Sequence, residues 1–242
     1  MSPPVLEALG VSKTLGSGAG QVHALKDINL SLHGGELTLL MGPSGSGKTT
    51  LLSVLGCMLA PTEGHVRVAG VSTEGAGPEA LAELRRKHVG YIFQSYHLFP
   101  TLTASENVQL ALDVRGERGG EARGRAHAAL SRVGLSHKFD SFPRELSGGE
   151  QQRVAIARAI VSDPSYVLAD EPTAALDSRN GQAIMTILAD IARDPGRGVL
   201  VVTHDARLME FAGRTVDIED GRLVGERRNH AAEAVPVALD GG

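Results

Sequence analysis

The chain has 242 residues, a formal charge of −4, 42% hydrophobic and only 3% aromatic residues, and no tryptophan. That balance speaks against a general nucleic-acid binder, which carries a basic face, and it leaves aliphatic side chains to fill the core. Cys57 is the only cysteine, which excludes an internal disulfide and suits a reducing compartment.

Met1-Ser2-Pro3-Pro4 lacks the basic-then-apolar pattern of a signal peptide. No apolar run approaches the roughly 20 residues of a membrane helix, so the chain is expected to be soluble, with a membrane partner still open. Residues 5–9 and 22–32 read as strands, with Val22, Ala24, Ile28, Leu30 and Leu32 at even spacing. Gly16-Ser17-Gly18-Ala19-Gly20 between them is a flexible loop. His33-Gly34-Gly35 turns the chain into the apolar run Leu37–Met41.

Next comes Gly42-Pro43-Ser44-Gly45-Ser46-Gly47-Lys48-Thr49, which fits the phosphate-loop pattern G-x-x-x-x-G-K-[ST]. The strand before it and the helix-like run from Thr50 after it supply the context that the pattern needs. Gly45 and Gly47 free the backbone to curl with its N–H groups inward. The helix that starts there presents its positive dipole end to phosphate. Lys48 is expected to reach the β- and γ-phosphates and the Thr49 hydroxyl to ligate Mg²⁺.

Pro61-Thr62-Glu63-Gly64 is a turn into the strand His65–Ala69. Pro78 opens a short helix whose end carries Arg85, Arg86 and Lys87. Val89–Gln94 reads as a strand ending in an amide able to ligate Mg²⁺ or position water. From about 95 to 161 the texture turns helical, over Ala104–Val114, Glu121–Val133 and Gly149–Val161, which implies a helical insert in an α/β core. Strands resume at Ser165–Asp170 and Gly198–Thr203. Both are nearly continuous apolar runs, as in parallel strands buried on two faces. Residues 215–225 suggest a hairpin around Asp220-Gly221, and the tail from about 227 to 242 is expected to be mobile.

The two buried strands end in chemistry. Asp170 and Glu171 close the first, at the edge where parallel sheets bind ligands. Asp170 can hold Mg²⁺ through water and Glu171 can polarise a water for attack on the γ-phosphate. His204 closes the second, within reach of the γ-phosphate or the attacking water. Leu146-Ser147-Gly148-Gly149-Glu150-Gln151-Gln152-Arg153 opens a helix, with Ser147 and Glu150 as a capping box. Its two glycines imply that something must approach closely, so this helix start is a second candidate anion site.

Taken in order, Gly42–Thr49, Gln94, Leu146–Arg153, Asp170-Glu171, Ala174-Ala175-Leu176-Asp177 and His204 resemble the motif set of an ATP-binding-cassette (ABC) ATPase, over about residues 5–225. The resemblance implies an α/β P-loop NTPase fold. It would have a mostly parallel sheet, an N-terminal antiparallel β-subdomain and an inserted α-helical subdomain, all in one cassette domain spanning 1–242. It implies ATP and Mg²⁺ as ligands. Gly42, Pro43, Ser44, Gly45, Ser46, Gly47, Lys48, Thr49, Thr50 and Gln94 would hold nucleotide in one copy, and Ser147, Gly148, Gly149 and Glu150 would cover it from a second copy, head to tail. Thr49, Gln94 and Asp170 would face the metal, and Lys48, Glu171 and His204 the reaction. Asp177 would lie at the dimer seam. Gln94 and Ser95–Val108 would touch a transmembrane permease on the cytoplasmic side of the membrane.

Leu52-Ser53-Val54-Leu55-Gly56, Tyr96-His97-Leu98-Phe99-Pro100 and Phe142-Pro143-Arg144-Glu145 resemble the branch serving lipoprotein release, macrolide export and glycolipid export. Amino-acid importers share much of this wording. Two positions depart from the family. The adenine-stacking aromatic expected in the N-terminal loop falls near Leu15, so aliphatic contact, with Val22 as the candidate, is expected in its place, and Ala174 stands where Ser is usual. A soluble ABC ATPase of cofactor-assembly type is the alternative. A GTPase or kinase sharing only the phosphate loop lacks an Asn-Lys-x-Asp motif and leaves residues 146–153 unexplained.

Overall fold

The computed structural model describes residues 3–228. β1 (Leu6–Leu15), β2 (Val22–Leu32), β4 (Glu63–Val68) and β5 (Val71–Ser72) form an antiparallel sheet in the order β2-β1-β4-β5. The second sheet takes β3 (Leu37–Met41), β6 (Val89–Ile92), β7 (Tyr166–Asp170), β8 (Gly198–Thr203), β9 (Arg214–Glu219) and β10 (Arg222–Arg228) in the order β10-β9-β3-β8-β7-β6. All of its pairings are parallel except the β9–β10 hairpin. The helices are α1 (Lys48–Leu55), α2 (Pro78–His88), α3 (Ala104–Asp113), α4 (Gly120–Arg132), α5 (Gly148–Ile160) and α6 (Ser178–Ala192).

The second sheet is buried on both faces because its strands carry apolar residues on both sides of the pleat. Leu39, Val199, Val201, Val167 and Ala169 face the layer of α3–α6. Leu40, Leu200, Val202 and Leu168 face α1 and the antiparallel sheet. This sandwich makes β3, β7 and β8 a rigid frame, and all three deliver their C-terminal ends to one edge.

Several element limits differ from the sequence expectations. β1 runs to Leu15 rather than residue 9, because register shifts after Ala8 and a positive φ at Gly10 break the apolar alternation without ending the pairing. In β2 the buried positions change parity, Leu25 on one side and Ile28, Leu30 and Leu32 on the other. An extra residue at the bulge by Asp27 (φ 52°) resets the pleat. β6 ends at Ile92, so Gln94 stands in the following turn and not at the strand end. Residues 227 and 228 pair with Thr215 and Arg214 and belong to β10; the rest of the expected tail lies outside the described residues. Helix α6 was not anticipated, although Asp177 caps it by accepting the Asn180 N–H at 2.9 Å.

Candidate functional site

β3 ends on the floor of a cleft of about 900 Å³, and the loop Gly42–Gly47 bends there into α1. Two glycines are sterically required. A Cβ on Gly42 would collide with the Ile218 carbonyl, and one on Gly47 (φ +101°) would sit 2.5 Å from the Ala24 carbonyl oxygen. No side chain caps α1, so its first N–H groups face the loop's interior and remain available to an anion. Lys48, only 8% exposed, turns its Nζ back onto the carbonyls of Gly42 (2.9 Å) and Pro43 (2.6 Å). The ammonium thus lies within the cradle, held by acceptors that an incoming phosphate would replace.

The ends of β7 and β8 bring the charged groups to the same cleft. The Thr49 hydroxyl lies beside the Asp170 carboxylate, near enough to favour its charged form. Burial raises the pKa of that carboxyl, with the Glu171 charge pushing the same way and the Thr49 hydroxyl and Lys48 charge opposing. Glu171 occupies a left-handed conformation, φ 46°, held by its N–H to the Val202 carbonyl at 3.0 Å. That turn places its Oε1 3.1 Å from His204 Nδ1. Glu171 is the more sheltered of the two, 23% exposed against 68% for His204. A carboxylate fixed by an imidazole at the rim of a phosphate-binding cleft is suited to orient a water.

The second helix start lies elsewhere. Ser147 and Glu150 form the expected capping box, with the Glu150 N–H donated to Ser147 Oγ at 3.3 Å and the Ser147 N–H to Glu150 Oε2 at 2.7 Å. The Ser147 N–H above all holds the Glu150 carboxyl below its ordinary range. Ser147 and Gly148 are exposed, and none of residues 147–150 lines the phosphate-loop cleft. The demand for Gly149 comes from inside the chain: a Cβ there would stand 2.8 Å from Asn180 Oδ1 of α6. An internal neighbour thus accounts for the glycine at 149, which is buried, whereas Gly148 is exposed. Gln94 is also exposed and absent from the cleft lining, in the turn after β6, which lies three strands away from β3. Lys48, Thr49, Thr50, Ser44, Gly45, Gly47, Glu171 and His204 are therefore brought together at the cleft, with Asp170 beside Thr49, Lys48 and Glu171, while Gln94 and Ser147–Glu150 do not line it.

Two features escaped the sequence reading. Arg158 of α5 donates to the carbonyls of His97 (2.6 Å) and Tyr96 (2.7 Å), tying α5 to the turn after Gln94. Tyr96 and His97 both have positive φ, and no local sequence signal announces that strain. His23 lines the cleft together with Leu15 and Val22. The strand pattern placed it on β2, but only the pairing of β1 with β2 brings it there.

The sequence profile of the ABC transporter family matches residues 25–174. "Macrolide export ATP-binding/permease protein MacB" of Salmonella typhimurium is 47% identical over 220 residues, covering 91% of this chain and 34% of that protein. Its namesake in Burkholderia pseudomallei is 42% identical over 240 residues, covering 99% and 37%. The chain thus spans about a third of the length of these curated relatives. Among solved structures, a dimeric post-hydrolysis state of the cassette MJ0796 bound to ADP and Pi superposes with a TM-score of 0.84 at 41% identity, covering 92% of this chain and 98% of that one. CbiO1 from Clostridium perfringens, part of the transporter complex cbiONQ, gives 0.84 at 27% identity, covering 94% and 89%.

Proposed function

The chain belongs to the ABC transporter family as an ATP-hydrolysing cassette, and from that premise we propose that two copies close head to tail on two ATP to drive a transmembrane permease in export. The observation that carries this reading is that the two helix starts are not in one site: the α1 start lies in a cleft beside Glu171 and His204, and the α5 start is exposed and does not line it. Neither suffices alone to enclose a γ-phosphate. ABC cassettes form dimers, as in the solved neighbour, and a head-to-tail pair would bring the α5 start of one copy over the cleft of the other.

In this reading Lys48 leaves the Gly42 and Pro43 carbonyls for the β- and γ-phosphates, and the N–H groups of the loop and of Gly148 stabilise charge developing on the γ-phosphate. Glu171 orients the attacking water, and His204 steadies Glu171 and the γ-phosphate end. Thr49 and Asp170 would hold Mg²⁺. Among the described residues no three His, Cys, Asp or Glu side chains form a metal cage, which fits an ion bound through one or two protein oxygens plus phosphate and water. Bound there, the ion would neutralise phosphate charge.

We read 1–242 as one cassette with a helical subdomain at about 95–161. Gln94 and residues 95–108 would meet the permease, with the cassette on the cytoplasmic face of the membrane. Among the described residues no helix is long and apolar enough to cross a bilayer. The names of the relatives, macrolide export ATP-binding/permease proteins, favour export over the importer alternative.

The test is mixing. Lys48→Ala and Ser147→Arg should each be inactive as pure dimers. Their mixture should regain ATPase, because one of the two pockets then joins an intact phosphate loop to an intact α5 start. A mixture as dead as its parts, or full turnover by a strictly monomeric chain, would overturn shared pockets.

A further inference from the structure

Two side chains from elsewhere in the chain flank the exposed start of α5. A Cβ on Gly148 would lie 3.1 Å from Tyr96 Oη, 4.0 Å from Tyr96 Cζ and 3.6 Å from Leu176 Cδ2. Tyr96 comes from the turn after β6, and Leu176 from the loop between β7 and α6. Among the described residues the Tyr96 hydroxyl has no hydrogen-bond partner, so what the phenol offers Gly148 is packing contact.

Tyr96 is held there in a strained backbone. Tyr96 and His97 have φ of 52° and 49°, a region that residues with side chains seldom enter and keep only where surrounding contacts impose it. Arg158 imposes it, donating to the Tyr96 carbonyl at 2.7 Å and the His97 carbonyl at 2.6 Å. Burial works against the charge of that guanidinium, and among the described residues no carboxylate pairs with it. Its donors are committed to the turn. From the other side the His97 ring lies 4.7 Å from that of Phe93, itself 4.4 Å from that of Tyr91 on β6. Arg158 sits near the far end of α5 from Gly148, about 15 Å along the axis. Tyr96 spans the two, with its carbonyl at Arg158 and its phenol at Gly148.

Resting on the reading of the α5 start as the surface that meets phosphate held by another copy, we propose that Tyr96 is a positioning residue for the partner copy's nucleotide: braced by Arg158, its ring fixes the angle at which the α5 start is presented. The glycine at 148 has no side chain of its own with which to set that angle. Donors aimed at developing charge lose rate when they are misplaced, even where the substrate still binds. Tyr96 does not line the cleft of its own chain, so its effect falls on the nucleotide held by the other copy. The ring carries the contact, because its Cζ alone stands at ordinary packing distance from the Cβ position of Gly148.

Mixed dimers of the full chain show on which side the effect falls. In a mixture of Lys48→Ala and Ser147→Arg chains, the one working pocket takes its phosphate loop from the Ser147→Arg chain and its α5 start from the Lys48→Ala chain. Tyr96→Ala added to the Lys48→Ala chain should lower kcat of the regained ATPase at least about tenfold, with KM for ATP held within about twofold. Added to the Ser147→Arg chain instead, it should leave the regained rate unchanged. In the sensitive placement Tyr96→Phe, which keeps the ring, should restore the rate. Arg158→Met, which keeps the aliphatic stem but loses the donors, should follow Tyr96→Ala. Equal loss in both placements would mean a general structural role. Loss confined to the Ser147→Arg chain would put Tyr96 in its own chain's cleft, and full rate in both would mean that it positions nothing. Each of these three results overturns the proposal. A parent mixture that regains no ATPase would instead refute the shared pocket itself, and this proposal with it.

Discussion

The starts of α1 and α5 are both helix N-termini preceded by glycines or small residues, yet the chain treats them oppositely. At α1 no side chain caps the helix, Gly47 is left-handed, and the free N–H groups look into a deep cleft with Lys48 curled inside it. At α5 the chain satisfies its own donors through the Ser147–Glu150 box, and Ser147 and Gly148 face solvent. An uncapped helix start is expensive unless a ligand arrives; a capped one is stable while it waits. The contrast separates a site built to hold phosphate within one chain from one built to meet phosphate held by another.

The sharpest way to break this comparison is at Glu171. Glu171→Gln keeps the shape of the side chain and one acceptor but loses the charge that would polarise water. It should leave ATP binding intact, lower turnover by at least about 10²-fold and accumulate an ATP-dependent dimer on gel filtration. Trapping would show that the capped and uncapped helix starts meet across two copies. Normal hydrolysis by this variant would remove Glu171 from the reaction.

How much of this was legible beforehand differs between the two starts. The phosphate loop is written in spacing, and so is the capping box, since both depend on residues a few positions apart. The pairing of Glu171 with His204 was half legible: each closes an apolar strand, but the 3.1 Å contact depends on β7 lying beside β8 and on a positive φ at Glu171. That His23 lines the cleft was illegible, because a register shift at Ala24 in the β1–β2 pairing decides which side chains lie beside Leu15. The packing around Gly149 was illegible for a similar reason. Its close neighbour, Asn180, lies 31 positions along on a helix the pattern did not announce.

That internal neighbour gives a second test, of intermediate size. Gly149→Ala should push a Cβ against Asn180 Oδ1, where only 2.8 Å is available. The strain of overpacking is typically about 1–3 kcal/mol, set against the ~0.5–1 kcal/mol that alanine adds to a helix. The net result should be a melting temperature lower by a few degrees. Because the opposing atom ends a side chain, Gly149→Ala combined with Asn180→Ala should recover most of the loss; Asp177, which caps α6 through the Asn180 backbone N–H, stays in place. If the double variant melts no higher than the single one, close packing against α6 is not what requires this glycine, and an incoming group regains its claim.

The smallest effect concerns the cap itself and its pH dependence. The Glu150 carboxyl is held below its ordinary range, chiefly by the Ser147 N–H, with the Ser147 hydroxyl and Lys138 and Arg153 nearby adding to it. A carboxylate whose folded pKa is depressed contributes stability that is present above its unfolded value and is lost as pH falls through the folded one. Glu150→Gln keeps a side-chain acceptor for the Ser147 N–H but carries no charge to titrate. Melting curves of the two proteins should therefore differ most near neutral pH and converge as pH falls below the ordinary carboxylate range. The α1 start offers no such cap to titrate, so the convergence reports on α5 alone. Curves that stay parallel from neutral to acid pH would mean that the Glu150 charge adds nothing to the α5 cap, leaving the hydroxyl of Ser147 to hold that helix start ready for a partner.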